Sequence, residues 1–279
     1  MTEGLLPWPA PAKINLFLHV TGRRDDGYHL LQTMFQFLDF GDVLRFAIRA
    51  DGVIHRAEDL PGVAEADDLC LQAARLLQRH TGCTPGATIY LEKHIPQGGG
   101  LGGGSSNAAT VLLALNELWE TGLGRDELAR LGLRLGADVP VFIGGAAAWA
   151  EGVGEALTPV ELETPYYVLL APGVSVSTVQ IFADPELTRN SPAITIRDFH
   201  EGRTRNDLEA VVFKHAPGVK QALSWLGQFG PARMTGSGSC LFLPVTDKAQ
   251  AERIVSQCPA SWQCWLTRGV NTHPLAGNG

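Results

Sequence analysis

The chain has 279 residues, which is enough for one large domain or two of ordinary size. Apolar residues make up 45% and charged residues 18%, which is typical of a globular protein and excludes a disordered chain. The net charge is −7 and no long run of lysine and arginine occurs, so phosphate would bind in a pocket rather than across a basic face.

Cysteine usage and the N-terminal segment indicate a cellular compartment. The five cysteines are odd in number and lack C-x-x-C spacing, so we expect no zinc site and five reduced side chains. Residues 1–11 lack the features of a signal peptide, and the apolar stretch 139–150 is too short and broken to span a bilayer. We expect a soluble cytoplasmic protein without nucleic-acid or membrane partners; monomer and homodimer both stay open.

The first predicted element is a strand. Apolar residues alternate from Ile14 to Val20, which gives a period of two and places Lys13 and Asn15 together on the other face. Further strands are predicted at residues 35–37, 43–48 and 87–91, and a helix at residues 68–80.

A glycine-rich segment follows, with six glycines in the seven positions 98–104. An apolar stripe at helical spacing covers residues 108–119, and Ser105, Ser106 and Asn107 are candidate N-caps for that helix. Successive backbone amides and a helix N-terminus together make an anion site, so we predict that this loop binds a triphosphate.

Other interpretations of the loop fit less well. A Walker A loop needs a lysine after its last glycine, and Ser105 stands there instead. A dinucleotide fingerprint, as in an NAD-dependent dehydrogenase, can be placed on the glycines, but its acidic partner would fall within or at the end of a helix. A flexible linker would not lead directly into a capped apolar helix.

The rest of the chain predicts a second domain. A helix at residues 126–135 stops at Gly136, and Asp138 follows it directly. The pattern loosens near residues 157–165, so we predict domains at residues 1–160 and 161–279. The second part mixes strands at 167–171 and 240–245 with helices at 219–229 and 248–257, which favours an α+β fold.

The loop sequence P-x-G-G-G-L-G-G-G-S-S-N-A-A resembles the phosphate loop of the GHMP kinase superfamily. Residues 11–18, 26–29, 135–142, 151–155, 171–178 and 235–238 are similar to one branch of it, the 4-diphosphocytidyl-2-C-methyl-D-erythritol (CDP-methylerythritol) kinases. This resemblance implies a ribosomal-S5-like N-terminal α/β domain and a ferredoxin-like C-terminal α+β domain. It also implies that ATP, with Mg²⁺, phosphorylates the 2-hydroxyl of CDP-methylerythritol in the non-mevalonate isoprenoid pathway.

The resemblance assigns roles to particular residues. Asp138 would be the catalytic base and Lys13 the cation that stabilises charge, while Asn15 would lie near the reacting end of the substrate. The nucleotide-binding residues it implies are Pro96, Gln97, Gly98, Gly99, Gly100, Leu101, Gly102, Gly103, Gly104, Ser105 and Ser106. The residues it implies for cytosine recognition are Tyr28, His29 and Phe182.

Ordinary alternatives exist for each of these residues. Asp138 could be a turn residue that caps the following segment, Lys13 a solvated lysine, and Phe182 part of the core. Other possible functions are a GHMP kinase for homoserine, mevalonate or a sugar, and a nucleotide-binding regulator without catalysis. The protein ligands of Mg²⁺ are not identified by the sequence, although Ser105 or Ser106 could contribute.

Overall fold

The structure is a computed structural model that describes residues 4–277. The strands are β1 (Trp8–Arg23), β2 (His29–Arg49), β3 (Ile54–Arg56), β4 (Gly86–Glu92), β5 (Ala148–Glu151), β6 (Ala156–Pro159), β7 (Tyr166–Ala171), β8 (Arg233–Met234), β9 (Leu241–Val245) and β10 (Gln263–Val270). The helices are α1 (Leu69–Thr81), α2 (Gly103–Leu118), α3 (Arg125–Leu133), α4 (Val139–Gly144), α5 (Thr178–Ala183), α6 (Ile196–His200), α7 (Glu209–His215), α8 (Pro217–Leu226) and α9 (Lys248–Ser256).

A long antiparallel pair, β1 and β2, forms the centre of the N-terminal half. The predicted first strand is confirmed and is longer than expected. The two strands predicted at 35–37 and 43–48 are wrong as separate elements, because Gly41 and Asp42 stay in the ladder opposite Pro11 and Ala10. A Cβ at Gly41 would lie 2.5 Å from the Ala10 carbonyl oxygen, so glycine here permits the close approach of β1.

Helices α1 and α2 pack on this sheet and bury its apolar face. The helix predicted at 68–80 is confirmed as α1, with the Asp68 carboxylate accepting a hydrogen bond from Cys70 N at 2.7 Å. The predicted caps of α2 are wrong, because the helix begins two residues before Ser105 and its N-cap is Gly102. Gly102 has a φ of 70°, a left-handed conformation that turns the glycine loop directly into the helix.

The C-terminal half extends the same sheet with four antiparallel strands in the order β10, β7, β9, β8. Helices α7, α8 and α9 contribute to the separate hydrophobic core beside it. The sequence did not predict β10, which pairs along β7 and reaches β2 at its end, where Gly269 lies opposite Leu38. The sheet thus runs through both halves, and the predicted division at residue 160 stays a prediction.

The cysteines correct one expectation. Cys258 and Cys264 form a disulfide, because the end of α9 and the start of β10 bring their Cα atoms within 6.2 Å. Cys70, Cys83 and Cys240 are free thiols. Among the helices that lie within residues 4–277, none combines the length and the hydrophobicity needed to cross a bilayer. The cytoplasmic location stays a prediction.

Candidate active site

A cleft of about 950 Å³ lies between the two halves and gathers the predicted site residues. Its walls include β1, the start of β2, the glycine loop, Asp138 and α5. Both candidate catalytic residues, all four candidate substrate residues and the nucleotide residues from Pro96 to Ser105 line it. Ser106 does not line it: its buried hydroxyl donates to the Pro11 carbonyl oxygen at 2.7 Å and fastens α2 to β1.

The glycine loop is shaped by alternating left-handed residues. Gly98, Gly100 and Gly102 have φ values of 65°, 75° and 70°, so every second residue reverses the direction of the backbone. A Cβ at Gly100 would lie 2.3 Å from the Thr235 carbonyl oxygen, and one at Gly99 would lie 2.5 Å from the sulfur of Cys240. The glycines therefore allow the loop to pack against the turn at residues 235–239 while the N-terminus of α2 borders the cleft, which suits an anion.

Lys13 is a buried cation whose three donors are all used. Its Nζ donates to Asn15 Oδ1 at 2.6 Å and to the Gly100 carbonyl oxygen at 3.1 Å, and it lies 3.1 Å from Asp138 Oδ2. An ammonium group has three N–H bonds, so these contacts satisfy it completely and explain why only 3% of the side chain is exposed. The same contacts tie β1, the glycine loop and Asp138 together.

Asp138 owes its position to a helix that the sequence did not predict. It is the N-cap of α4, and its side chain is 33% exposed toward the cleft. The other end of α4 is held by Arg125, which donates to the carbonyl oxygens of Ile143 at 2.7 Å and Leu275 at 2.6 Å. Asp138 is thus fixed by a short helix that is itself anchored to the C-terminal segment.

The far end of the cleft is aromatic. The rings of His29 and Phe182 lie 4.9 Å apart at 35°, and Tyr28 beside them is 64% exposed. Arg189 donates from Nε to His29 Nε2 at 3.0 Å. Burial, followed by the charges of Arg189 and Arg23, lowers the pKa of His29 below its usual value.

Sequence reasoning missed Asp42, which supports the glycine loop. This buried carboxylate accepts from the backbone amides of His94 and Ile95 at 2.7 and 2.8 Å through Oδ1. Its Oδ2 accepts from the Lys93 ammonium and from Asn107 Nδ2, the latter at 2.9 Å. The only local sign of a role for Asp42 was an aspartate within a strand of mostly apolar residues. Arg189 was also missed, and the sequence around it gave no such sign.

Comparison with known proteins identifies the family. Residues 68–146 match the GHMP kinases N terminal domain, and residues 189–264 match the GHMP kinases C terminal domain. A 4-diphosphocytidyl-2-C-methyl-D-erythritol kinase of Aromatoleum aromaticum is 59% identical over 269 residues, which are 96% of this chain and 95% of the relative. This chain belongs to the CDP-methylerythritol kinase family. It is also 54% identical to the kinase of that name from Pseudomonas syringae pv. syringae, over 99% of this chain and 98% of the relative.

Solved structures agree with this family assignment. A crystal structure of a 4-(cytidine 5'-diphospho)-2C-methyl-D-erythritol kinase superimposes with a TM-score of 0.80 at 34% identity, over 95% of this chain and 99% of the other. A mevalonate kinase superimposes with a TM-score of 0.68 at 15% identity, which shows a shared fold alone. The predicted two-domain GHMP architecture and the predicted ATP-dependent small-molecule kinase are both confirmed. The interpretation as a non-catalytic regulator is wrong.

Proposed function

We propose that this kinase transfers the γ-phosphoryl group of ATP to the 2-hydroxyl of CDP-methylerythritol, a step of the non-mevalonate isoprenoid pathway. One observation carries the proposal: the buried Lys13 pairs with the partly exposed Asp138 at the glycine loop, in the same cleft as an aromatic pocket that suits a pyrimidine. Homoserine, mevalonate and simple sugars have no base for that pocket. The names of the relatives support the same substrate.

Asp138 is the proposed base. Its carboxylate would accept the proton of the substrate hydroxyl while the hydroxyl oxygen forms a bond to the γ-phosphorus. The bond between that phosphorus and the oxygen that bridges it to the β-phosphate breaks, and the electron pair leaves with ADP. The α4 N-cap position and the contact with Lys13 support this role, because they aim one carboxylate oxygen while the residue stays accessible from the cleft.

Lys13 is the proposed electrostatic stabiliser. Its ammonium group lies 3.1 Å both from the Asp138 carboxylate and from the Gly100 carbonyl of the loop. It therefore lies between the proposed base for the substrate hydroxyl and the loop proposed to bind the ATP phosphates. A preorganised cation in a buried site stabilises developing negative charge more strongly than one in water. Asn15 accepts from Lys13, and its own Nδ2 donates to Thr33 at 2.9 Å, which fixes its orientation toward the reacting end.

The nucleotide would lie on residues Pro96 to Ser105, with the loop amides and the N-terminus of α2 directed at its phosphates. Magnesium fits this arrangement. Within residues 4–277 no cluster of three or more His, Cys, Asp or Glu side chains is present, and Mg²⁺ in kinases is held largely by phosphate oxygens and water. The Ser105 hydroxyl and the Asp138 carboxylate are among the oxygen-bearing side chains that line the cleft and would be available to complete its shell. When bound, Mg²⁺ neutralises charge on the β- and γ-phosphates.

A coupled ADP-release assay with ATP·Mg²⁺ tests the proposal. We expect turnover with CDP-methylerythritol and none with homoserine, mevalonate or galactose. Asp138→Asn and Lys13→Ala should each lower kcat by more than about 100-fold while nucleotide still binds. Asp126→Asn on α3 and Lys220→Ala on α8 are matched controls whose side chains lie outside the cleft. Near-normal turnover by Asp138→Asn or Lys13→Ala would remove that residue from the mechanism.

A further inference from the structure

Arg189 is held rigidly at the aromatic end of the cleft. Besides the bond to His29 Nε2, its Nη1 donates to the Leu187 carbonyl oxygen at 3.1 Å. Its Nη2 donates to the carbonyl oxygens of Phe182 and Asp184 at 2.9 and 2.7 Å. The guanidinium therefore joins the end of α5, which carries the Phe182 ring, to the histidine at the start of β2.

These contacts determine which nitrogen of His29 carries its proton. A guanidinium group does not lose a proton in proteins and has no acceptor atom, so the Arg189 contact requires an unprotonated Nε2. A neutral imidazole must then carry its hydrogen on Nδ1. The lowered pKa of His29 is consistent with the neutral form. Within residues 4–277, the hydrogen bond of the His29 ring is made by Nε2 with Arg189, and His29 lines the cleft.

We propose that Arg189 is a positioning residue that sets the base specificity of this kinase, by holding His29 as a hydrogen-bond donor through Nδ1. The inference rests on the proposed function, because it concerns the cytidine base of that substrate. Arg189 would not touch the base itself; it would act through His29 and through the position of Phe182.

The edges of the two pyrimidines show why one tautomer matters. Cytosine presents acceptors at N3 and O2, whereas uracil carries a hydrogen on N3. A fixed N–H donor opposite N3 pairs with cytosine and faces another donor in uracil, which leaves two buried groups unpaired. Without Arg189, the imidazole could move its hydrogen to Nε2 and accept from uracil N3. Arg189 thus supplies discrimination by excluding the wrong base rather than by adding a contact to the right one.

Two variants separate this role from a merely structural one. Arg189→Met keeps much of the side-chain length but has no donor, so it frees Nε2 of His29. Arg189→Lys keeps a cationic donor and should partly preserve the wild-type tautomer, although one ammonium cannot reach all four acceptors. Arg197→Met is the control, because Arg197 is 86% exposed on α6 and pairs with Glu201.

The experiment compares CDP and UDP as competitive inhibitors against CDP-methylerythritol, together with ¹⁵N NMR of the His29 ring. In the wild type we expect CDP to bind more tightly than UDP and His29 to carry its hydrogen on Nδ1. In Arg189→Met the CDP-to-UDP preference should fall by about 10-fold or more, the ring signals should shift toward the other tautomer, and KM for ATP should be unchanged. Arg189→Lys should lie between the two, and Arg197→Met should match the wild type.

Several results would overturn the inference. One is a hydrogen on Nε2 of His29 in the wild type, and another is equal binding of CDP and UDP by the wild type. A third is an Arg189→Met variant that binds CDP and UDP more weakly by the same factor, so that their ratio is unchanged. If Arg189→Met does not fold, the tautomer seen by NMR in the wild type and the CDP-to-UDP preference of Arg189→Lys still test the inference. Failure of the proposed function is distinguishable, because it would appear as a lack of wild-type turnover with CDP-methylerythritol.

Discussion

Replacement of Asp42 by asparagine tests how the glycine loop is held in place. The two carboxylate oxygens have different partners: Oδ1 accepts the backbone amides of His94 and Ile95, and Oδ2 accepts Lys93 and Asn107. The asparagine oxygen can keep the two backbone bonds. Its NH₂ group would then face two donors, so the Lys93 ion pair and the Asn107 bond are lost while the shape of the side chain is kept.

The magnitude follows from burial. Asp42 is fully buried and Lys93 is 20% exposed, so the lysine can recover part of its hydration when the pair breaks. Breaking a fully buried pair costs about 3–5 kcal/mol, and a lost neutral hydrogen bond about 1 kcal/mol. With partial rehydration of Lys93, we expect Asp42→Asn to lower the free energy of unfolding by about 3 kcal/mol. The loop leading to Gly98 should loosen, and KM for ATP should rise by about 10-fold.

Urea unfolding and ATP titration measure both effects. Asp39→Asn is the matched control on the same strand. Asp39 Oδ1 accepts from Thr267 Oγ1 at 2.6 Å and Arg268 N at 2.7 Å, bonds that the asparagine oxygen can keep, and Asp39 lies outside the cleft. The Asp39→Asn variant should lose less than about 1 kcal/mol of its free energy of unfolding and keep the wild-type KM for ATP. If the two variants have equal stability and unchanged KM, Asp42 does not position the loop.

Three further predictions concern the loop, the C-terminal segment and the metal. Gly100→Ala should raise KM for ATP and lower Tm, since its Cβ would lie 2.3 Å from the Thr235 carbonyl oxygen. Gly122→Ala is the control: Gly122 has a φ of 72° and no atom within 4 Å of the added Cβ, so this variant should lower Tm alone. Equal KM values for the two variants would contradict this steric reasoning. Burial lowers the pKa of His273 to about 4, so the unfolded chain binds the proton more readily and stability should fall as pH drops from 6.5 toward 4, by on the order of 3 kcal/mol. His273→Asn, which can still accept from Leu275 N, should show a shallower slope in urea unfolding at several pH values, and an unchanged slope would refute the assignment. Chelation by EDTA should abolish ADP release and added Mg²⁺ should restore it; turnover that persists in EDTA would contradict a requirement for the ion.

Much of the fold could be predicted from local patterns. The alternation around Lys13 predicted β1, the apolar stripe after the glycines predicted α2, and the pattern of residues 68–80 predicted α1. Boundaries failed where glycine changed the local rule: Gly41 continued a strand that was expected to break, and Gly102 began a helix before its expected caps. β10 was missed because its position is determined by pairing with β7 and β2, which lie far away in the chain.

The candidate site was predicted as a set of residues, through the loop composition and the family resemblance. The supporting contacts could not be predicted: Asp42 lies 65 residues from Asn107, and Arg189 lies 160 residues from His29. Neither pairing could be predicted from nearby sequence, because hydrogen bonds between residues so far apart in the chain depend on how strands and helices are packed.

The sequence by itself determined that a glycine-rich loop of backbone amides would precede a helix, since the conformational freedom of glycine and the periodicity of a helix are local properties. Only the tertiary structure decided that Lys13 of β1 meets Asp138 at the start of α4, at 3.1 Å. The physical reason is that a buried ammonium group needs several acceptors at once, and only the folded chain brings Asn15, Gly100 and Asp138 around it.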